Sequence, residues 1–264
     1  MDKLKQRHRR KEDVKRRAAQ PNHMFAYCRA IGCRKPARAG TDDGLDRRFC
    51  RAHADHLQRH GSPFKKSYAA AQLNPYRRAA VEWLMANEHD RYVRNAIQRV
   101  KGLYDRAGPF VEAFRLRGKS PSDRARAAWA RLRHHEVDPR VVLAVWLAVE
   151  MVIKDDPQPV RTAEFKRVQA AKVLHRLASG SHKHWPSQGV LANELHVYPA
   201  SRGNVLRTIG AALEGAAEFL VGGQLTAIRR TKESREARGR SANRAHPRSV
   251  GVRHRRKASQ VRVS

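Results

Sequence analysis

The chain has 264 residues, of which 56 are Lys or Arg and 24 are Asp or Glu, so its formal net charge is +32 at pH 7. This length suffices for one large domain or two modest ones, and a charge this far from zero favours polyanionic partners. The sequence has neither a GxxxxGK[ST] loop nor a GxGxxG loop, which removes support for nucleotide-driven chemistry.

The first segment, residues 1–22, is a basic arm with nine Lys/Arg and three Asp/Glu among residues 1–20. It has few large apolar side chains, so burial cannot offset the entropy of ordering it, and we predict that it is disordered. The opening run MDKLKQRHRRKEDVKRR also lacks the apolar core of a secretory signal peptide. This predicts a reducing, cytoplasmic location, where closely spaced cysteines more often bind metal than form disulfides.

All three cysteines of the chain, together with one histidine, follow the pattern C-x4-C-x16-C-x2-H: Cys28, Cys33, Cys50 and His53. Tetrahedral Zn²⁺ prefers sulfur and imidazole ligands in such spacings, and four protein ligands close its coordination shell. An odd number of cysteines disfavours a disulfide framework. We therefore predict a structural zinc site, with His56 as the alternative to His53 for the fourth ligand.

The zinc module is predicted to cover residues 23–66. Gly32 permits a tight knuckle between the first two cysteines, and Thr41-Asp42-Asp43-Gly44 has the composition of a turn. Phe49 to His60 is predicted as a short helix that ends at Gly61-Ser62-Pro63. A knuckle followed by a helix that donates the last two ligands is a treble-clef-like arrangement.

Residues 27–64 resemble a small Cys3His zinc module of phage and mobile-element proteins, which often accompanies HNH-type endonucleases. The four ligands match that pattern, as do Gly61 and Pro63 after the basic helix. The sequence departs from it in the longer loop from Ala39 to Arg48, and in having Arg47-Arg48-Phe49 where glycine-leucine is usual. The resemblance implies a DNA-related function, and it is the reason why DNA is favoured over RNA.

The predicted partner is nucleic acid, bound mainly through its phosphates. No lipid anchor or apolar insertion face indicates a membrane surface, and no small-molecule substrate is evident. Six cations of the zinc module are predicted to face phosphates: Arg47, Arg48, Arg51, Arg59, Lys65 and Lys66.

Residues 76–224 are predicted to form an α-helical domain. Helical periodicity runs from Tyr76 to Ala107, with a polar interruption at Asn87–Arg91. Ser120-Pro121 and Asp138-Pro139 are helix-start signals. The second one opens the most apolar stretch, Val141 to Ile153, which we interpret as a buried central helix because it is too short to span a bilayer.

Two further helices are predicted in this domain, one capped by Thr162 and ending at Gly180, and one from Ser201 to Gly222. The segment Ser181 to Pro186 is predicted as an exposed loop. A helix-turn-helix remains an alternative for Val190–Val197 with Ser201–Ile209, with Arg202, Asn204 and Arg207 facing a major groove. Residues 229–264 carry thirteen Lys/Arg and two Asp/Glu and are predicted as a disordered basic tail.

The sequence is thus predicted to encode a mainly α-helical, zinc-stabilised nucleic-acid-binding protein. One alternative is an HNH-like metal-dependent endonuclease. Its candidates are His53, His56 and His60 of the predicted zinc helix, and Asn87, His89 and Asp90 further on. The spacing of these residues, and the predicted helical setting of His89 and Asp90, do not fit that core. Another alternative is a structural component of nucleic-acid packaging or of a ribonucleoprotein. An enzyme is the less favoured class, and we assign no catalytic residue.

Overall fold

The computed structural model describes residues 3–19, 27–37, 39–41, 44–178, 181–185, 193–197, 203–220 and 222–245. The α-helices in this part of the chain are α1 (Lys3–Ala19), α2 (Arg51–His60), α3 (Ala70–Ala86), α4 (Arg91–Asp105), α5 (Pro121–His134), α6 (Pro139–Asp155), α7 (Ala163–Leu177), α8 (Asn204–Ala217) and α9 (Gly223–Ala245). Short 3-10 helices span Ala113–Leu116 and Glu218–Leu220. Two antiparallel hairpins pair β1 (Ala39–Thr41) with β2 (Gly44–Asp46) and β3 (Ser181–Trp185) with β4 (Asn193–Val197). The prediction of a mainly helical protein is confirmed.

Three helices begin where the sequence predicts. Ser120 Oγ accepts a hydrogen bond from the Asp123 amide (3.1 Å) at the start of α5. At the start of α6, Asp138 Oδ1 accepts from the Arg140 amide (2.8 Å). Thr162 Oγ1 likewise accepts from the third residue of its helix, at 3.2 Å, at the start of α7. Each side chain satisfies an amide that has no partner within its helix.

Helix α6 is the centre of the helical body, as its apolar sequence predicts. Every residue from Val142 to Ile153 is buried, and α3, α4, α7, α8 and α9 all contact this helix. Its one buried acid, Glu150, accepts from Lys166 Nζ of α7 at 2.8 Å through both carboxylate oxygens. A paired carboxylate is tolerated in such a core, whereas an unpaired one would be strongly destabilising.

The region between α7 and α8 differs from the prediction. Ser181–Trp185 is a strand rather than a loop, and it pairs with Asn193–Val197, which is a strand rather than a helix. The helix-turn-helix interpretation is therefore wrong. Strands of five mainly polar residues are too short for hydrophobic alternation to reveal them, so their backbone pairing has no clear sequence signal.

Both terminal segments contain helix where disorder was predicted. Helix α1 covers most of the predicted arm, and α9 extends to residue 245 within the predicted tail, whereas residues 246–264 lie outside the described part. Leu225 and Ile228 anchor α9 in the core, and Glu82 of α3 accepts from Arg235 and Arg238 at 3.1 and 2.8 Å. Lys, Arg, Glu and Ala are strong helix formers, so a charged segment can be helical without a wide apolar face.

Among the described residues, no helix combines the length and the apolar character that a membrane span requires.

Candidate metal centre

The first two cysteines lie on a tight knuckle. The Cys28 amide donates to the Lys35 carbonyl (2.9 Å) and the Cys33 amide to the Ala30 carbonyl (3.0 Å). Gly32 between them has φ +77°, a conformation that glycine adopts without steric cost. The Arg29 amide donates to the Arg48 carbonyl at 2.9 Å, which ties the knuckle to the segment leading into α2.

The other two residues of the cluster come from the start of α2. Cys50 is the N-cap residue of that helix, and His53 lies in its first turn. The approach to the helix is fixed by Asp46, whose Oδ1 accepts from the amides of Arg48 (2.7 Å) and Phe49 (3.2 Å). The two-residue gap therefore places Cys50 and His53 on one side of a single turn, as predicted.

The four side chains converge, with their ligand atoms all within 4.8 Å of one another. His53 Nδ1 lies 3.3 Å from the Sγ atoms of both Cys28 and Cys50, and Cys33 Sγ lies 3.9 Å from Cys50 Sγ. Bonds of about 2.3 Å to sulfur and 2.0 Å to nitrogen in a tetrahedron place ligand atoms roughly 3.5–3.8 Å apart. The cluster thus has the dimensions of a four-ligand metal site, and its residues can hold a metal ion.

The chemistry of the thiols also fits a cation. All three are free rather than disulfide-bonded. Burial raises the pKa of Cys28, but hydrogen bonds from the backbone of Cys50 and Ala30 and from His53 outweigh it and lower that pKa to about 7. For Cys33 a backbone hydrogen bond at Lys35 acts to lower the pKa, but burial and the neighbouring thiols raise it overall. Adjacent thiols oppose each other's ionisation, and a bound cation removes that opposition.

The other two histidines of α2 have different partners. His56 Nδ1 lies 2.7 Å from the Ser62 carbonyl oxygen. His60 Nδ1 accepts from the Ser67 amide at 3.1 Å and lies 2.9 Å from Ser67 Oγ. His53, rather than His56, therefore completes the cluster.

Helix α2 docks on α7 through Gly61. This residue has φ +75°, and its amide donates to the Leu57 carbonyl at 2.8 Å. A Cβ atom at this position would lie 2.9 Å from Phe165 Cα and from Val168 Cβ. Gln169 Nε2 of α7 also donates to the His60 carbonyl at 2.8 Å, so the end of α2 is held directly against the helical body.

The six cations predicted to face phosphates fall into two groups. Arg47, Arg48, Arg51, Arg59 and Lys66 are exposed. Arg51 Nε donates to Asp55 Oδ2 at 3.0 Å across one turn of α2, an arrangement that leaves the side chain at the surface. Lys65 differs, since its ammonium forms an ion pair with Asp156 and donates to the Gln158 carbonyl at 2.6 Å.

Asp156 is a residue that the sequence analysis missed. Burial opposes its ionisation, but hydrogen bonds from Lys65 and Tyr68 outweigh it and hold its pKa at about 2. The Tyr68 hydroxyl donates to Asp156 Oδ2 at 2.5 Å, and these hydrogen bonds fasten the linker after α2 to the end of α6. Tyr68 lies 88 residues before Asp156 in the sequence and Lys65 lies three residues earlier still, so no local pattern indicates these partners.

The endonuclease candidates Asn87, His89 and Asp90 lie at the connection between α3 and α4. Asn87 is the C-cap residue of α3, and its side-chain amide donates to the Trp83 carbonyl (2.8 Å). The Asp90 carboxylate caps α4 by accepting from the Tyr92 amide at 2.7 Å. Both side chains therefore have structural roles at helix ends.

Comparison of the chain with protein-family models, with curated proteins and with solved structures finds no match.

Proposed function

We propose that this chain is a zinc-stabilised nucleic-acid-binding protein that favours DNA and is of the phage or mobile-element type. The observation that carries the proposal is the convergence of Cys28, Cys33, Cys50 and His53 in a module with exposed arginines, within a chain of net charge +32. A knuckle, a hairpin and a helix follow one another in this module, which supports a treble-clef-like arrangement. Free thiols also suit the reducing, cytoplasmic setting that we propose.

In this proposal the four residues of the cluster would hold Zn²⁺, which supplies a crosslink between the knuckle and α2. That crosslink matters because the local apolar cluster is small: Cys28, Ala30 and Cys50 are its buried members, with Cys33 and Phe49 packed against them. A core of this size cannot hold a fold by itself. The fixed surface then presents Arg47, Arg48, Arg51, Arg59 and Lys66 to phosphates.

Binding would arise mainly from release of counterions from the nucleic acid, which is insensitive to base sequence and steeply salt-dependent. Lys65 is left out of the proposed contact surface because its ammonium already pairs with Asp156. The basic helices α1 and α9 precede and follow the helical body in the sequence. Their positive charge supports nonspecific affinity for nucleic acid.

Catalysis is the weaker proposal for this site. Four protein ligands leave no coordination position for a reactive water, and His56 and His60 are already hydrogen-bonded to Ser62 and Ser67. A packaging role differs from our proposal only in that the terminal segments, rather than the zinc module, would dominate affinity.

The test is an equilibrium binding assay of the zinc-loaded protein with labelled duplex DNA and with RNA of equal length, across a salt series, with and without Mg²⁺. We expect binding that weakens steeply with salt, and intact DNA after incubation with Mg²⁺. Absence of binding at low salt contradicts the proposal. Mg²⁺-dependent cleavage that is lost in a His56→Ala variant with its zinc retained favours the endonuclease instead.

A further inference from the structure

A small cavity lies where the segment after α2 meets α3 and α7. Its volume is about 130 Å³, and its apolar wall is formed by Leu73 of α3 and by Val173 and Leu177 of α7. Neutral polar groups of Ser67, Tyr68, Asn74 and Gln169 also line it. None of these residues belongs to the metal cluster.

Three cations line this cavity: Arg77, Lys172 and Arg176. Its described lining contains no Asp or Glu. Like charges gathered in a partly buried site repel one another unless an anion lies between them. The sequence gives no sign of this cluster, because Arg77 belongs to α3 and the other two cations to α7.

The hydrogen bonds of two of these cations, Arg77 and Lys172, are incomplete. Arg77 Nε is buried and has no hydrogen-bond partner, and Arg77 Nη1 makes only a long contact of 3.4 Å with Asn74 Oδ1. Lys172 Nζ donates to Ser67 Oγ at 2.8 Å and lies 3.4 Å from His60 Nδ1, which leaves one of its three N–H groups for another acceptor. Buried donors without acceptors are costly, and an oxyanion would satisfy them.

The electrostatics of the surrounding groups agree with this geometry. Burial, and then the charges of Arg176 and Arg59, lower the pKa of Lys172. Burial alone lowers the pKa of Arg77. In both cases the protein itself supplies no compensating negative charge, so the positive charge is destabilised until an anion is present.

We propose that this cavity, lined by Arg77, Lys172 and Arg176, is a binding site for a phosphate group. Its volume exceeds the ~30 Å³ share of one water molecule, so a multi-atom oxyanion fits. It is smaller than the roughly 300–1,000 Å³ of pockets that enclose a whole small molecule. The ligand is therefore inorganic phosphate or the terminal phosphate of a larger molecule.

A second cavity shows where a larger phosphorylated ligand would continue. Asn74 and Arg77 also line a groove of about 900 Å³ between α3 and α9. Arg78, Arg235 and Arg238 line the same groove, together with Glu82. Arg235 and Arg238 are already paired with Glu82, so Arg78 is the cation of this groove that a nucleic-acid strand would meet beyond the small cavity. The site itself does not depend on the proposed nucleic-acid function.

The first test is calorimetric titration of the zinc-loaded full chain with inorganic phosphate at low salt. We expect saturable binding at one site, weakened about tenfold or more in Lys172→Met and in Arg176→Gln, since each loses a charged donor. Lys154→Met removes the same charge from an exposed position outside the cavity and should leave affinity unchanged. Arg176 is exposed, so its variant keeps its fold even if Lys172→Met does not.

Absence of saturable binding overturns the proposal, as does equal weakening by Lys154→Met, which would indicate general surface charge.

The source of the phosphate is identified with a DNA duplex carrying a 5′-phosphate and the same duplex with a 5′-hydroxyl. Preference for the phosphorylated duplex, lost in Arg176→Gln, identifies a terminal phosphate. Equal affinity for both duplexes, with phosphate still bound, identifies the free ion. Failure of all DNA binding would count against the proposed function and leave the phosphate titration interpretable.

Discussion

At the scale of single residues, the metal cluster depends on which histidine of α2 turns towards the three thiols. His53 and His56 are three positions apart on one helix, yet the first lies 3.3 Å from two sulfur atoms and the second lies against the Ser62 carbonyl. Spacing alone left both open as ligands, because either could be reached from the first turns of a helix. The hydrogen bond between His56 and the Ser62 carbonyl leaves His53 as the histidine of the cluster.

This difference predicts the zinc content of two variants. His53→Ala should lower bound zinc from about one equivalent to less than half, since three-ligand binding is much weaker than closed four-ligand binding. His56→Ala should keep about one equivalent. Native mass spectrometry of both proteins measures this, and zinc retained in the first variant but lost from the second would contradict the assignment of His53.

A different histidine, His175 of α7, gives the body a pH dependence. Burial, and then the nearby charges of Arg131 and Arg124, lower its pKa to about 4. His175 therefore binds a proton below about pH 6.5 in the unfolded chain, but only below about pH 4 in the folded chain. The stabilising contribution of the neutral folded-state histidine is present above pH 6.5 and is lost as the pH falls towards 4.

We expect His175→Leu to flatten the fall in unfolding free energy between pH 6.5 and pH 4. Because His175 accounts for at most one proton of difference between the unfolded and folded states, its removal changes the slope of unfolding free energy against pH by up to about 1.4 kcal/mol per pH unit. Denaturant unfolding of both proteins at matched pH values measures it, and loss of a bound metal at low pH would affect both equally. Parallel profiles would show that His175 does not titrate as described.

At the scale of elements, the junction between α2 and α7 requires a residue without a side chain. Gly61 has a left-handed backbone conformation, and a Cβ atom there would lie 2.9 Å from backbone and side-chain atoms of α7. Gly108 has a similar φ of +77° but no atom within 4 Å of its Cβ position. Comparing substitutions at Gly61 and Gly108 therefore distinguishes the cost of backbone strain from the cost of steric overlap.

Gly61→Ala should lower the unfolding free energy by about 3 kcal/mol, of which backbone strain supplies roughly 1 kcal/mol and overlap with α7 the rest. Gly108→Ala should lower it by about 1 kcal/mol, through strain alone. Urea unfolding of both variants measures the difference. Equal losses would mean that α2 does not pack on α7 through Gly61.

The sequence predicts elements well where chemistry is local. Ser120, Asp138 and Thr162 cap their helices as predicted, and the zinc pattern gathers its ligands within 26 residues. Prediction fails where partners are distant in sequence. The hairpin of β3 and β4 is defined by pairing between polar strands, and the cavity at Arg77 and Lys172 forms only when two distant helices pack together.

At the scale of the whole molecule, the zinc module and the helical body have separate apolar clusters. The cluster around the metal ligands has Cys28, Ala30 and Cys50 as its buried members, whereas the body's continuous core extends from α3 to α9. We therefore expect the stability of the knuckle to depend on a metal ion bound by the four ligands, and stability of the body to depend on burial of apolar surface.

Chelation of zinc should consequently open the module and leave the body folded. We expect rapid tryptic cleavage between Arg29 and Arg48 after treatment with a chelator, with a resistant fragment that retains α3 to α8, and protection should return when zinc is added back. Circular dichroism should lose little helical signal. Cooperative loss of the entire helical signal on chelation would contradict this separation.

The proposal of a nucleic-acid partner rests on the positive charge of the molecule. The salt dependence of DNA binding measures how many of those charges contact phosphates. Each phosphate contact contributes about 0.9 to the slope of log affinity against log salt. Changing Arg47, Arg48 and Arg51 to Gln should therefore reduce that slope by roughly 2–3 units. A control triple variant of equal charge, in the helical body, changes the exposed residues Arg106, Arg117 and Lys119 to Gln. We expect an unchanged slope for the control, and an equal reduction in both variants, or in neither, would contradict binding through the arginines of the zinc module.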